Sequence, residues 1–312
     1  MDATMPRVHP LDSPTTRQDW IQAKEIFWSI YLGPGRWTTR VLPPGLLRQG
    51  SRFLPIARAV GGPARKRFVE NLSRYPVLHA GPVRDDRLSD QHLAHAFQRA
   101  LDDLLLERHP VERVVSACRL QGQEHLEAAL AHGRGVVLST GHFFASRLAK
   151  RWMGAKGWPV LSVRDTGYDD PRVGRLAGRF WQRRYFQFLH RVIEDEVSTR
   201  DPECSLKMLA RLRAGGIIDI HLDTPFVGKG RTFDFLGKPT PFPAGFMDIV
   251  HVAGSPVVPM LCLGSSRGLA IEFLPPMNPR ETPREEILEG LVRTLESQVL
   301  AHPEQWEQTL SP

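Results

Sequence analysis

The sequence predicts an α/β protein, a central and mostly parallel sheet flanked by helices, with an N-terminal helical extension that faces a membrane. Three observations lead there. Four short apolar runs, Val136 to Ser139, Pro159 to Val163, Ile217 to His221 and Pro256 to Leu263, are bounded by Gly or Pro and rich in branched residues, as strands covered on both faces must be. Segments with apolar residues at helical spacing alternate with these runs, which predicts β-α-β units. A chain of 312 residues, 41% hydrophobic and 24% charged, has the means to bury one large core.

Taken in order, residues 1–64 read as a helical, interfacial extension with a Pro/Gly-rich linker from Gly33 to Gly62, and residues 65–312 as the α/β domain. Trp20, Ile21, Ile26, Phe27, Trp28, Ile30, Tyr31, Leu32 and Trp37 interleave with charges in the extension. That mixture suits a membrane interface, and it equally suits a helix packed on a core. Met1 to Asp19 is polar and contains proline, so no signal peptide is expected. Helices are predicted from Arg65 to Arg74, from Asp90 to Leu106 (Leu93, Ala96, Phe97, Leu101, Leu104, Leu105 on one face), from Glu124 to His132, from Val173 to Leu189 and from Ser205 to Ala214. No apolar run is long enough to cross a bilayer, which leaves peripheral contact as the expectation.

A formal net charge of +7, concentrated before residue 75 and between residues 147 and 191, implies an anionic partner surface. No helix-turn-helix, zinc-finger or RNA-binding signature accompanies the charge, so nucleic acid is not expected. Cys118, Cys204 and Cys262 are widely spaced and lack ligand spacing to histidine. A reducing compartment, no metal and no cofactor are the corresponding expectations.

The chemistry-bearing feature is Gly141-His142-Phe143-Phe144, directly after the run Gly135-Val136-Val137-Leu138-Ser139-Thr140. Ligands of open α/β sheets bind at such strand ends, and imidazole transfers protons near neutral pH. A packed histidine is the plainer reading of the same residue. Neither a Gly-x-Ser-x-Gly elbow nor an activated cysteine pattern is present, so no covalent enzyme intermediate is expected.

Several blocks occur in a telling order. They are Glu70-Asn71-Leu72, Gln123-Glu124-His125-Leu126-Glu127-Ala128-Ala129-Leu130, Gly133-Arg134-Gly135, Gly141-His142-Phe143, Asp223, Phe235-Leu236-Gly237-Lys238-Pro239, Phe242-Pro243-Ala244-Gly245, Gly254-Ser255-Pro256-Val257-Val258-Pro259 and Pro303-Glu304-Gln305-Trp306. Together they resemble the bacterial lipid A biosynthesis acyltransferases over roughly residues 65 to 307. The resemblance implies an O-acyltransferase at the cytoplasmic face of the inner membrane, moving a fatty acyl group from an acyl carrier protein or coenzyme A thioester to a hydroxyl of a membrane lipid or glycolipid. A hydroxyl is a poor nucleophile, so a base, His142, must take its proton, and donors such as the first amides of the following helix must meet the oxyanion.

One departure is marked: that family places an acid after four intervening residues, where this chain has Arg147. A cation beside His142 is expected to depress its pKa. Asp165, at the end of the next predicted strand, is the candidate replacement, reaching His142 or pairing with Arg147 if the two strands are neighbours; a helix-capping role is its alternative. Asp223 is assigned a structural or substrate-positioning role. Arg147, Arg164, Gly245 and, in a predicted glycine-flanked loop where a solvated charge is the alternative, Lys229 and Arg231 are further candidates for holding substrate, and His221 reads as a satisfied core residue. Phe143, Phe144, Trp152 and Met153 are candidates for an acyl channel or for core. The basic segment from Arg172 to Arg184, with interleaved aromatics, suits an acidic carrier protein or lipid headgroups. The competing reading of the whole chain is a non-catalytic member that binds acyl chains, carrier protein or membrane.

Overall fold

The computed structural model describes residues 29–49, 62–75, 77–78, 82–164, 178–193, 195–224, 230–266 and 268–307. In chain order the strands are β1 (Cys118–Gln121), β2 (Val136–Thr140), β3 (Val160–Arg164), β4 (Glu196–Ser198), β5 (Ile217–His221), β6 (Gly230–Phe235), β7 (Lys238–Pro243), β8 (Val257–Gly264) and β9 (Leu269–Phe273). Among the described residues seven of them form one sheet in the order β1-β9-β8-β2-β5-β3-β4, and β6 pairs with β7 as a separate hairpin. Within the sheet every pairing is parallel except β8 with β9. The expected central, mostly parallel sheet is therefore the observed one.

The helices are α1 (Arg36–Val41), α2 (Pro44–Arg48), α3 (Gly62–Ser73), α4 (Pro82–Leu106), α5 (Val111–Val114), α6 (Gln123–Ala131), α7 (Ser146–Ala155), α8 (Gly178–Ile193), α9 (Cys204–Arg213), α10 (Phe246–Ala253) and α11 (Arg284–Ala301), with a π-helical turn at Tyr31–Gly35. They cover both faces of the sheet. Val137, Ile218, Val257 and Leu261 sit in one apolar core with α11 residues such as Leu291 and Leu295. Val136, Leu138, Ile217, Val258 and Met260 sit in the other with Leu148 and Met153 of α7. Successive strand residues point to opposite faces, and both faces are dry. That is why β2 is buried along its whole length and reads as an unbroken apolar run.

Two expectations need correction. The strand after His142 is not the neighbour of β2: β5 lies between β2 and β3, pairing with each. The stretch beginning at Gly230, read as a loop bearing Arg231, is strand β6. Its turn to β7 places both Leu236 (φ 54) and Gly237 (φ 76) in the left-handed region, as a two-residue hairpin turn requires.

Residues 1–28, with Trp20, Ile21, Ile26, Phe27 and Trp28, lie outside the described residues. From residue 29 the chain packs on α4. Tyr31 is buried, and its hydroxyl donates to the Ala100 carbonyl at 2.8 Å. Arg48 of α2 is almost fully buried, paired with Asp102 at 2.8 Å and donating to the carbonyls of Val114 and Ser265. The outward face of the same segment exposes Ile30, Trp37, Val41 and Leu46, each by more than half. Among the described residues no helix is long and apolar enough to cross a membrane.

Candidate active site

Register alone brings the site together. Thr140 at the end of β2 pairs with His221 at the end of β5. Two residues further along each strand stand His142 and Asp223, so parallel pairing sets them side by side beyond the carboxyl edge of the sheet. Gly141 makes the approach possible. A Cβ there would lie 2.5 Å from Leu295 Cδ1 and 3.4 Å from the Asp223 carboxylate.

Asp223 is fully buried, and His142 keeps 28% of its side chain exposed. The carboxylate takes the Nδ1 hydrogen of His142 at 2.7 Å, and the His142 backbone N–H lies 2.8 and 3.0 Å from its two oxygens. The indole Nε1–H of Trp306, itself fully buried, donates to Oδ2 at 2.6 Å. With Nδ1–H held by an acceptor, Nε2 of the neutral ring carries no hydrogen and can accept a proton. Burial pushes the Asp223 carboxyl up, but His142 beside it and the hydrogen bonds from its ring and backbone hold it below the usual carboxylate range. Burial disfavours the charged form of His142, yet Asp223, helped by Glu307, raises its pKa above the ordinary 6.5.

The C-terminal segment clasps the loop that carries His142. Phe143 bridges to Trp306, the Phe144 N–H donates to the Gln305 carbonyl at 3.1 Å, and the Glu307 N–H donates to the His142 carbonyl at 2.8 Å. Glu307 also pairs with Arg99 of α4. Two amides at the start of α7 are committed: Phe144 N–H as above and Ser146 N–H to the Phe143 carbonyl. These two are therefore not free to meet an oxyanion.

Arg147 does not act on His142 as the sequence suggested. It is turned to Asp103 of α4, a buried partner that neutralises it. The expected depression of the His142 pKa by this cation is replaced by elevation. Asp165 and Lys229 lie outside the described residues. Arg164 at the end of β3 pairs with Glu196 of β4, and Arg231 pairs with Glu285 at the exposed edge of the β6–β7 hairpin. Gly245 precedes α10, with open space where a Cβ would stand. Phe143, Phe144 and Met153 are core residues, and Phe144 packs beside His92 and His95 with the Arg99 guanidinium over its ring.

Sequence reasoning did not single out Trp306, Glu307, Asp103 or Arg99 as parts of this site, nor a buried cluster of Lys150, Asp219 and His221 against the His142 ring. Asp219 carried a usable signal: it is a carboxylate in the middle of an apolar strand. One donor atom each from His142, His221 and Asp223 lies within 4.8 Å of the others. Both Asp223 oxygens are occupied by N–H donors of His142 and Trp306.

Two curated relatives align over 190 residues at 24% identity, the phosphatidylinositol mannoside acyltransferases of Mycobacterium tuberculosis strains H37Rv and CDC 1551. The alignment covers 59% of this chain and 56% of each relative, so the chain spans just over half the length of the curated relatives it matches. A solved structure, the 1-acyl-sn-glycerophosphate acyltransferase PlsC from Thermotoga maritima, overlaps 78% of this chain and 97% of its own, at a TM-score of 0.36 and 11% identity. The family profile described as bacterial lipid A biosynthesis acyltransferase matches residues 24–308, and the chain belongs to that family.

Proposed function

We propose that the protein is an O-acyltransferase that moves a fatty acyl group from an acyl carrier protein or coenzyme A thioester to a hydroxyl of a membrane lipid or glycolipid, with His142 as general base. Family membership supports the reaction class, and the name of the mycobacterial relatives supports a glycolipid acceptor. The observation that carries the reading is the 2.7 Å contact between His142 Nδ1 and a fully buried Asp223. An acid held this way fixes the tautomer and stabilises the imidazolium formed as the acceptor hydroxyl loses its proton. It comes from the end of β5, so the arginine at position 147 does not leave the base without a carboxylate.

In the reaction, Nε2 of His142 takes the hydroxyl proton as the oxygen attacks the thioester carbonyl. The tetrahedral adduct expels the thiolate, which recovers that proton from the imidazolium. The chain works at a membrane surface on this reading. Arg36, Arg184 and Arg191 line an open cleft with Leu32 and Gln187, close in the chain to the exposed Trp37 and Phe180. Cations beside exposed aromatic residues suit the headgroup region of an anionic bilayer.

Purified protein incubated with labelled acyl carrier protein or acyl coenzyme A and a total lipid extract tests the proposal. A labelled lipid that is made by wild type and absent with His142→Ala supports it. Tight binding of the acyl carrier without product, unchanged by that substitution, replaces it with the non-catalytic binding reading.

A further inference from the structure

Acyl transfer by the His142–Asp223 pair leaves a second buried polar cluster unused. The His221 ring packs against that of His142, with centroids 4.2 Å apart and planes at 44°. His221 Nε2 lies 3.0 Å from Asp219 Oδ2, and the Lys150 ammonium of α7 lies 2.8 Å from the same oxygen. Asp219 is fully buried, and the side chains of Lys150 and His221 are each only 11% exposed. Apolar residues of similar volume would fill such space at no loss of stability. A buried Lys–Asp–His group against a candidate base therefore asks for a chemical reason.

The hydrogen-bond inventory supplies one. Ionised Asp219 only accepts, so His221 Nε2 carries a hydrogen, and in the neutral ring Nδ1 is bare. That Nδ1 is buried and has no partner. A proton added there would make a buried, charged donor with nothing to receive it. It would also place a second cation against the ring that must accept a proton during the reaction. Asp219, and Asp223 within 4.8 Å, would attract that proton; Lys150 cancels the charge of the first, and the second is already held by His142 and Trp306. Among the described residues, the other charged groups near His142 include Asp223 beyond β5 and Glu307 of the C-terminal segment, while Arg99 and Arg147 are themselves paired with Glu307 and Asp103.

We propose that Lys150 is a positioning residue that neutralises Asp219 and so keeps His221 uncharged, leaving His142 as the one member of the packed imidazole pair that takes the proton. The opposite perturbations of the two rings agree with this. Burial, then the neighbouring His142, lower His221, while Asp223 overcomes burial to raise His142. The inference rests on His142 being the base, but its test does not need turnover.

The full chain, with isotope-labelled histidine, is titrated by NMR from about pH 5 to 8, the range in which an exposed imidazole changes charge. In wild type the His142 ring titrates, and His221 stays neutral with its hydrogen on Nε2. In Lys150→Gln, His221 begins to titrate within that range, and the acid limb of kcat/KM steepens from one proton to two. Lys150→Arg restores the wild-type behaviour, and so does Lys150→Gln combined with Asp219→Asn, which removes both charges. A charged His221 in neutral wild-type protein overturns the proposal, as does a Lys150→Gln protein whose His221 stays silent. Should Lys150→Gln not fold, the wild-type spectra decide: a bare His221 Nδ1 beside a charged Lys150 ammonium supports the proposal, and any other pairing of states ends it. Absent acyl transfer with these titrations intact faults the enzymatic reading alone.

Discussion

At the scale of single residues, the candidate site is a base whose direction and charge are set by one buried carboxylate. Asp223→Asn keeps the volume but offers an amide where His142 needs an acceptor for Nδ1–H, so the ring is expected to turn or change tautomer. The precedent of other histidine–carboxylate pairs puts the loss in kcat at about 10³- to 10⁴-fold. Steady-state acyl transfer measures it, with circular dichroism confirming the fold. Since a base must be neutral to accept a proton and His142 is held above its ordinary value, wild-type activity should fall on the acid side from a pH above that of a free histidine. A limb at or below that pH contradicts the Asp223 coupling. Trp306→Phe keeps the ring in the core but deletes the N–H that fixes Asp223 Oδ2. A hydrogen bond to a charged group contributes about 1.5–3 kcal/mol. If the transition state uses that restraint, kcat drops roughly 10- to 100-fold with KM little changed; equal kcat would show that the indole only fills space.

Among the elements, helix α4 carries the clearest pH signature. Its His92 stacks on Phe68 with centroids 4.0 Å apart, and His95 lies over Phe144. Burial, foremost, lowers both from 6.5 to about 4. Both stay neutral in the folded protein where the unfolded chain binds protons, so their contribution is complete above about pH 6.5 and disappears as pH falls toward about 4. Chemical denaturation across that window should show stability falling with pH, and His92→Asn or His95→Asn should each remove up to about one proton from the slope. Asp102 on the same helix, raised by burial to about 6, pulls the other way, so the difference between wild type and variant isolates each histidine. An unchanged slope in both variants would mean that these rings are hydrated. The same scale explains what was legible beforehand. Strands β2, β3, β5 and β8 were visible because both of their faces are dry. Edge strands β1 and β4 alternate or are only partly buried, so they carry no apolar run. His142 and Asp223 were both visible as strand-end polar residues. Their partnership was not, because the insertion of β5 between β2 and β3 is decided by long-range packing that no local pattern encodes. For the same reason the contacts of Arg147 with Asp103 and of Trp306 with Asp223 were invisible.

For the molecule as a whole, charge and exposed apolar surface coincide in the segment that precedes the α/β body and in α8. Glu107 at the end of α4 binds Arg36 and Arg191 together, at 2.8 Å and 2.9 Å through their Nε atoms, so one buried carboxylate holds two guanidinium groups at the cleft. The Arg184 guanidinium lies 4.7 Å from the centre of the Phe180 ring, which is itself half exposed. On the proposed membrane reading, lipid phosphates meet the unpaired edges of these arginines while Trp37 and Phe180 enter the headgroup boundary. Two contributions of different physical kind then act together, and they separate by experiment. Co-sedimentation with vesicles containing phosphatidylglycerol should weaken as salt rises from low to physiological ionic strength, because surface attraction is screened beyond about 8 Å there. Arg184→Gln with Arg191→Gln should remove most of that salt dependence, each cation near an anionic surface being worth about 1 kcal/mol. Trp37→Ala should instead lower binding at every salt concentration, by roughly 10- to 100-fold if the ring is buried, since burying a large apolar side chain is worth about 1.5–3 kcal/mol. Binding that is equal on neutral and anionic vesicles, or untouched by both sets of substitutions, would remove this surface from the proposed membrane contact.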